Sequence, residues 1–195
     1  MEVISNQSEQ KLVRLCKKND AKAQYKLYKQ YSKGMYNLAL RMTGDQNEAE
    51  DILQDAFIKA FQEVHKLKNE KAFGGWLRRI VVNHCIDSTR KKKLVFIEME
   101  KIKDQHTEMD GVEESIDPGL IHAMIKKLPD GAREILVLRA LEGYKHAEIG
   151  EQLGISESTA KTQYFRAKQL LAKMLNDWNN EERSGKNIVG EAIKA

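Results

Sequence analysis

The sequence predicts an all-α protein with two helical domains joined by a flexible acidic linker. Apolar residues recur at helical spacing in both halves of the 195-residue chain, which contains only two prolines. Between the halves, residues 96–118 hold eight acidic residues and two lysines without a sustained apolar stripe. We therefore assign 1–95 to the first domain, 96–118 to the linker, 119–176 to the second domain and 177–195 to a C-terminal tail.

The first domain is predicted to contain four helices. The first ends near Lys18, Asp20 is a suitable N-cap for the second, and this second helix stops at Gly44. Asp45 is a suitable N-cap for the third helix, and the fourth starts near Ala72 after a loop. The expected inward-facing residues are Leu12, Val13 and Cys16; Leu27, Tyr28, Tyr31, Met35, Leu38, Ala39 and Met42; Ile52, Leu53, Ala56, Phe57, Ala60, Phe61 and Val64; and Phe73, Trp76, Leu77, Ile80 and Val81.

The outer face of the third predicted helix is acidic. Asp51 and Asp55 lie one turn apart with Gln54 beside them. Such a pair could belong to a metal site or to an acid–base pair, although no histidine or third carboxylate is positioned to complete either. The alternatives are a solvated helix face and a docking surface for a basic partner.

One face of the fourth predicted helix carries polar residues that suit nucleic acid. The stripe consists of Trp76, Arg79, Asn83, Asp87 and Arg90, and it leads into the lysines that begin at Lys91. Asn83 can offer donors and acceptors to a base edge, and the cations can meet phosphates. Trp76 either stacks on unpaired bases or packs in the core.

A tight turn between two short helices is the most informative part of the second domain. In the segment 153–156, Gly154 tolerates positive φ and Ser156 can cap the following helix. One helix stops and another starts within four residues. This spacing predicts a helix-turn-helix, the motif that places its second helix in the major groove of DNA.

The second helix of this motif has an apolar face and a polar face. The expected buried stripe is Ala160, Tyr164, Ala167, Leu171 and Met174, and the expected outer face is Ser158, Lys161, Thr162, Phe165, Arg166 and Gln169. Hydroxyls, cations and one aromatic ring suit a major groove, where cations contact guanine edges and apolar groups contact thymine methyls. The alternative is a solvated basic face on a small helical bundle.

Composition agrees with a nucleic-acid partner. The net charge is +4 and the pI is about 8.9. Cys16 and Cys85 are expected to be buried free thiols, and no cofactor or metal site is expected. The N-terminal sequence lacks the apolar core of a signal peptide, and no stretch has the apolar length of a membrane span, so we expect a cytoplasmic protein without membrane insertion.

Three segments resemble a known family. Residues 48–61 (EAEDILQDAFIKAF) and 73–93 (FGGWLRRIVVNHCIDSTRKKK) resemble region 2 of the extracytoplasmic-function sigma factors of the sigma-70 family. Residues 128–171 resemble region 4 of the same family. The resemblance covers most of the chain outside the linker and the tail.

This resemblance implies a role for each polar surface. Region 2 would dock on the clamp helices of the largest subunit of core RNA polymerase, with Asp51, Gln54 and Asp55 at that contact. The implied contacts to the -10 promoter element are Leu67, Phe73, Trp76, Arg79, Asn83, Arg90 and Lys91. The implied contacts to the -35 element are Ser156, Ser158 and Thr159 near phosphates and Lys161, Thr162, Phe165 and Arg166 at reading positions. Another surface of region 4 would meet the polymerase flap.

The implied function is that of an alternative sigma factor, which directs core polymerase to promoters, helps to melt them and is not itself an enzyme. An anti-sigma factor is a possible further partner. Lys161 and Gln163 stand where several members of the family have arginine, so the -35 preference is expected to differ. Two alternatives stay open: a stand-alone regulator that uses only the helix-turn-helix, and a metal-dependent enzyme built around Asp51 and Asp55.

Overall fold

The computed structural model describes residues 6–91 and 118–183, which form helices and short connections without any strand in those ranges. The chain divides into two compact units, Met1–Leu94 and Val95–Ala195. Residues 96–117 of the predicted linker and 184–195 of the predicted tail lie outside the described residues. The prediction of two all-helical domains is confirmed. No helix in the described ranges combines the length and the apolar character needed to cross a membrane.

The described part of the first unit is a helical bundle. Its elements are α1 Asn6–Cys16, α2 Ala21–Thr43, α3 Gln46–Glu63, the short 3-10 turns Val64–Lys66 and Glu70–Ala72, and α4 Phe73–Lys91. Helices α2, α3 and α4 pack against one another, and α1 packs against α2.

The predicted helix boundaries in this unit are confirmed at three positions. The Asp20 carboxylate accepts a hydrogen bond of 2.8 Å from the Ala23 amide at the start of α2. The Asp45 carboxylate accepts one of 2.9 Å from the Glu48 amide at the start of α3. Gly44 ends α2 in the left-handed region with φ 73°. Each aspartate satisfies an amide that has no partner within its own helix, so these boundaries follow from local chemistry.

The core of the first unit contains most of the residues predicted to face inward. The largest fully buried side chains of this unit are Val13, Leu27, Leu38, Met42, Val64, Phe73, Leu77 and Val81. Tyr28 differs from the prediction, because its side chain is 41% exposed and only packs edge-on against Phe57 at a centroid distance of 4.8 Å. A tyrosine at the border of an apolar stripe can keep its hydroxyl hydrated in this way. The side chains of Cys16 and Cys85 are buried, as predicted, and burial raises the pKa of Cys16 to about 11.

The described part of the second unit begins at α5 and ends with a long helix. Its elements are α5 Pro118–Lys127, α6 Asp130–Leu136 with a π-helical continuation Val137–Leu141, α7 His146–Leu153 and α8 Glu157–Arg183. The predicted boundary between domain and tail, after residue 176, falls inside α8. The half-buried Leu171, Met174 and Trp178 continue one stripe at helical spacing, so the packed face of α8 extends past the predicted end.

The buried side chain of Arg133 connects α6 to the C-terminal end of α5. Its side chain is buried, with 5% exposure, and its Nη1 donates to the carbonyl oxygens of Lys126 and Leu128 at 3.0 and 2.9 Å. It also pairs with the carboxylate of Asp130. The carbonyls at the C-terminal end of a helix lack partners in that helix, so a buried guanidinium that binds two of these groups stabilises the corner.

We predict that Arg133→Met destabilises the second unit by about 3 kcal/mol, because it removes charge-assisted hydrogen bonds to carbonyls that stay buried. Thermal and chemical unfolding of the whole chain measures the loss. Lys127→Met is the matched control, since Lys127 is exposed and also lies at the end of α5. Equal stability of the two variants would contradict this role for Arg133.

Candidate nucleic-acid interfaces

The turn between α7 and α8 has the geometry of a helix-turn-helix. Gly154 ends α7 with φ 69° and ψ 34°, in the left-handed region, and α8 begins three residues later at Glu157. The Ile155 amide donates to the carbonyl oxygen of Gly150 at 2.9 Å, which closes the turn. The prediction that Gly154 supplies a positive φ here is confirmed.

Gly150 allows the turn to pass close to α7. A Cβ atom built on Gly150 would lie 2.8 Å from the carbonyl oxygen of Ile155 and 3.3 Å from the amide nitrogen of Glu157. Both neighbours are backbone atoms, which cannot move aside without opening the turn. Sequence reasoning missed this role, although a glycine inside a predicted helix, four residues before the turn glycine, is a signal for close backbone approach.

Ser156 caps α8, as predicted. Its Oγ accepts a hydrogen bond of 3.0 Å from the Thr159 amide and lies 2.8 Å from the hydroxyls of both Ser158 and Thr159. The three hydroxyls form a polar cluster at the N-terminal end of α8. Amides and hydroxyls at a helix N-terminus can contact phosphate, so the cluster suits the DNA backbone more than a base edge.

The first turns of α8 present an exposed polar face. Ser158, Lys161, Thr162, Phe165 and Arg166 are all exposed, and Ala160 and Ala167 on the opposite side are buried. Phe165 leaves 48% of its surface in solvent. Thr162 donates its hydroxyl proton back to the Ser158 carbonyl at 3.0 Å, so that proton is not available to a base edge.

The acidic face of α3 is exposed as its helical spacing predicts. Asp51, Gln54 and Asp55 lie opposite the buried Ile52 and Ala56. Ile58 extends this face by one turn and is 49% exposed. A single exposed apolar side chain is common on protein surfaces, so the two carboxylates are the distinguishing feature of this face.

The polar stripe on α4 is partly exposed. Arg79 is exposed, Trp76 and Asn83 are half-buried, and Arg90 is exposed near the end of the helix. The Trp76 ring packs at a tilt against Phe73, with 6.0 Å between centroids, so this side chain lies at the edge of the core. Lys91 ends α4, and its side chain lies outside the described residues.

The loop between α3 and α4 is anchored by two of the residues assigned to DNA contact. Leu67 and Phe73 are buried, with 8% and 0% exposure, so neither side chain is presented at the surface of this structure. The exposed residues between them are Lys68, Asn69, Lys71 and Ala72. Asn69 accepts a hydrogen bond of 3.1 Å from the Lys71 amide and so caps the second 3-10 turn. The sequence does indicate this burial, because apolar residues lie on either side of the polar segment KNEK, residues 68–71.

In the described ranges, the fold brings no further metal-binding side chain to Asp51 and Asp55. Among residues 6–91 and 118–183, no group of three or more His, Cys, Asp or Glu side chains comes together in a way that could hold a metal ion.

Comparisons with known proteins place both units in one family. The family model described as Sigma-70 region 2 matches residues 27–95, and the model described as Sigma-70, region 4 matches residues 119–171. The first match includes α3, the loop and α4, and the second includes the helix-turn-helix. The fold therefore defines a two-domain helical protein of the sigma-70 class.

Individual relatives narrow the class. The chain is 34% identical over 180 residues to the ECF RNA polymerase sigma factor SigW of Bacillus subtilis, which covers 86% of this chain and 96% of the relative. It is 31% identical over 159 residues to the ECF sigma factor SigM of the same species, covering 80% and 97%. The chain belongs to the extracytoplasmic-function sigma factors of the sigma-70 family, which are transcription initiation factors.

The fold is also similar to that of a solved structure. The sigma factor RpoE of Bartonella quintana, solved in complex with the anti-sigma factor NepR, matches with a TM-score of 0.53 and 21% identity. The match covers 78% of this chain and 96% of the solved chain. At this level of identity the likeness supports the fold.

We predict that a methyl group at Gly150 destabilises the helix-turn-helix. Gly150→Ala should lower the stability of the second unit by about 1 to 3 kcal/mol, as other overpacked sites do, because the contacted atoms belong to the backbone. Hydrogen exchange of the amides in α7 and α8 measures the change.

Gly34→Ala is the matched control for this prediction. Gly34 lies inside α2, and a Cβ there would have nothing within 4 Å. Alanine should therefore stabilise α2 by about 0.5 to 1 kcal/mol through lower backbone entropy in the unfolded chain. If the amides of α7 and α8 exchanged as slowly in Gly150→Ala as in the unaltered protein, the steric argument would be refuted.

Proposed function

We propose that this protein binds core RNA polymerase through the acidic face of α3 and recognises two promoter elements, one with each unit. The observation that carries the proposal is that one chain joins a region 2 unit with an exposed acidic face to a region 4 unit with an exposed reading face. A stand-alone helix-turn-helix regulator has no need of the first unit.

The α3 face, formed by Asp51, Gln54, Asp55 and Ile58, is the proposed polymerase contact. Two carboxylates with an exposed apolar neighbour complement a basic helical partner such as the polymerase clamp helices. The second unit would contact the polymerase flap through a surface other than the outer face of α8. The polymerase performs nucleotidyl transfer, and this chain contributes recognition without chemistry of its own.

The first unit is proposed to bind the melted -10 element along α4 and the preceding loop. Arg79, Arg90 and Lys91 would meet phosphates, and Asn83 and Trp76 would line the path of the single strand. Leu67 and Phe73 contribute by holding the ends of the loop from the core, so that its exposed residues face an unstacked base. Extrusion of a base costs a few kcal/mol, which a pre-formed site offsets.

The second unit is proposed to bind the duplex -35 element in the major groove. Lys161, Thr162, Phe165 and Arg166 face outward from the first turns of α8, and the cluster of Ser156, Ser158 and Thr159 lies where phosphates pass. We further propose that the protein acts in the cytoplasm. An anti-sigma factor, the class of partner bound to the Bartonella quintana protein, would cover its polymerase-binding surfaces.

Transcription in vitro tests this function directly. Purified core polymerase is supplied with a genomic promoter library, with and without the protein, and start sites are mapped. We expect new start sites that depend on the protein and share two spaced elements. Tight duplex binding without any new start site would refute the proposal and favour the stand-alone regulator.

We predict that Asp51→Arg combined with Asp55→Arg weakens binding to core polymerase by about tenfold or more, because two arginines would face a basic partner. Affinity is measured in solution with labelled protein. Asp87→Arg is the control, since Asp87 is an exposed carboxylate on α4 and not on α3. If the double variant bound polymerase as tightly as Asp87→Arg and the unaltered chain do, α3 would not be the contact.

We predict that Arg166→Ala weakens binding to the -35 duplex by about 1 to 3 kcal/mol and relaxes selectivity at one base pair, as expected for a cation that reads a base edge. Competition with single-base variants of the duplex measures both effects. Lys173→Ala removes a cation two turns further along α8 and should leave selectivity unchanged. Uniform weakening on all duplexes would instead assign Arg166 to a phosphate.

A further inference from the structure

A partly buried contact joins the C-terminal end of α1 to the loop between α3 and α4. Lys17 directly follows α1, and its ammonium group donates to the Leu67 carbonyl oxygen at 2.7 Å and to the Glu70 carboxylate at 2.8 Å. The two acceptors lie 50 and 53 residues away in the sequence. We call this three-residue contact the Lys17 bridge.

The Lys17 bridge is shielded more than an ordinary surface ion pair. The side chains of Lys17 and Glu70 are only 24% and 22% exposed, and Arg14, whose guanidinium is 4.0 Å from Glu70, is 67% exposed. The hydrogen bond from Lys17 lowers the pKa of Glu70, so the carboxylate is charged at neutral pH. Partial burial reduces screening by salt, so we expect this contact to persist at the ionic strength of a transcription assay.

Helix α1 provides a firm base for the bridge. Glu9 accepts hydrogen bonds from the Tyr31 hydroxyl at 2.8 Å and from the Gln30 amide at 3.0 Å, which fix α1 on α2. The Tyr31 ring in turn packs against Phe73 at the start of α4, with 5.5 Å between centroids. Lys17 is thus attached to the same core that anchors the end of the loop.

The bridge holds the loop on both sides of its exposed tip. Leu67 precedes Lys68 and Asn69, and Glu70 follows them, so a single ammonium group sets the separation of the two ends. Lys68 and Asn69 are exposed between these two contacts, so we expect the bridge to restrict where they lie. We propose that Lys17 is a positioning residue for promoter melting: it pre-organises the loop that receives an unstacked base of the -10 element. This proposal rests on the proposed function of the first unit.

Pre-organisation explains why such a contact would affect affinity without touching DNA. A loop that must be ordered during binding loses conformational entropy at that step, and a loop that is already held does not. Loss of the bridge should therefore reduce capture of the unstacked base and leave the contacts of the α3 face and the α8 face intact.

The test compares Lys17→Met with Lys18→Met in polymerase holoenzyme. Lys18 is exposed and adjacent, so its substitution removes the same charge without touching the loop. Affinity is measured for single-stranded -10 DNA, taken from a promoter mapped by in vitro transcription, with each base present or replaced by an abasic site. We expect Lys17→Met to bind the intact strand about tenfold more weakly, in line with loss of a charge-assisted hydrogen bond. In the unaltered protein, an abasic site at one position should weaken binding, and in Lys17→Met the same abasic site should have little further effect on affinity.

Two further variants separate positioning from folding. Lys17→Arg keeps a donor to both acceptors and should restore discrimination against the abasic strand. Glu70→Gln keeps an acceptor for Lys17 but removes the charge, and it should produce a smaller loss in the same direction. Thermal unfolding and affinity for core polymerase are measured alongside. Lys17→Met should unfold at a lower temperature than Lys18→Met, because the bridge contributes to stability, and its affinity for core polymerase at the assay temperature should match that of Lys18→Met.

Three results would overturn the proposal. Lys17→Met could behave as Lys18→Met does on both strands, or it could weaken the intact and abasic strands equally, which would indicate a general electrostatic effect. In the third, Lys17→Arg would discriminate against the abasic strand no better than Lys17→Met does. Failure of the unaltered protein to direct any start site would instead refute the proposed function itself, so the unaltered arm distinguishes the two failures.

Discussion

Both units contain a helix that buries one apolar face and leaves its outer face exposed, α3 in the first unit and α8 in the second. In α3, Ile52 and Ala56 lie in the core and Asp51 and Asp55 lie in solvent. In α8, Ala160 is buried and the polar side chains of the first turns are exposed. Because helical spacing separates the two faces, the residues that stabilise the fold and those proposed to contact polymerase or DNA can differ independently.

The two irregular segments near the proposed DNA contacts are held by different kinds of interaction. The turn between α7 and α8 is held locally, by the left-handed Gly154, the Ser156 cap and the close approach at Gly150. The loop before α4 is held from a distance, by buried Leu67 and Phe73 at its ends and by the Lys17 bridge. Local constraints suit a motif that binds duplex DNA as a rigid unit. The role proposed for the loop before α4, capture of an unstacked base, is favoured when the surrounding bundle already orders the loop.

Helix boundaries and exposed faces were the most predictable part of the protein. Asp20 and Asp45 act on amides three residues away, and Gly44 and Gly154 adopt left-handed conformations that glycine accepts readily. These effects involve near neighbours in the chain, so residue type and spacing suffice to identify them. The outer faces of α3 and α8 were predictable for the same reason, since each follows from the period of one helix.

The sequence by itself determined the helical class, the cap residues, the helix-turn-helix and its outward-facing side chains, because all of these depend on interactions within a few residues. Tertiary structure alone decided that Leu67 and Phe73 are buried, that α8 continues past residue 176 and that Gly150 lies against the backbone of Ile155. It also brought Lys17 to Glu70 across 53 residues. Such contacts depend on how whole helices pack, and packing is set by side chains that are distant in the sequence.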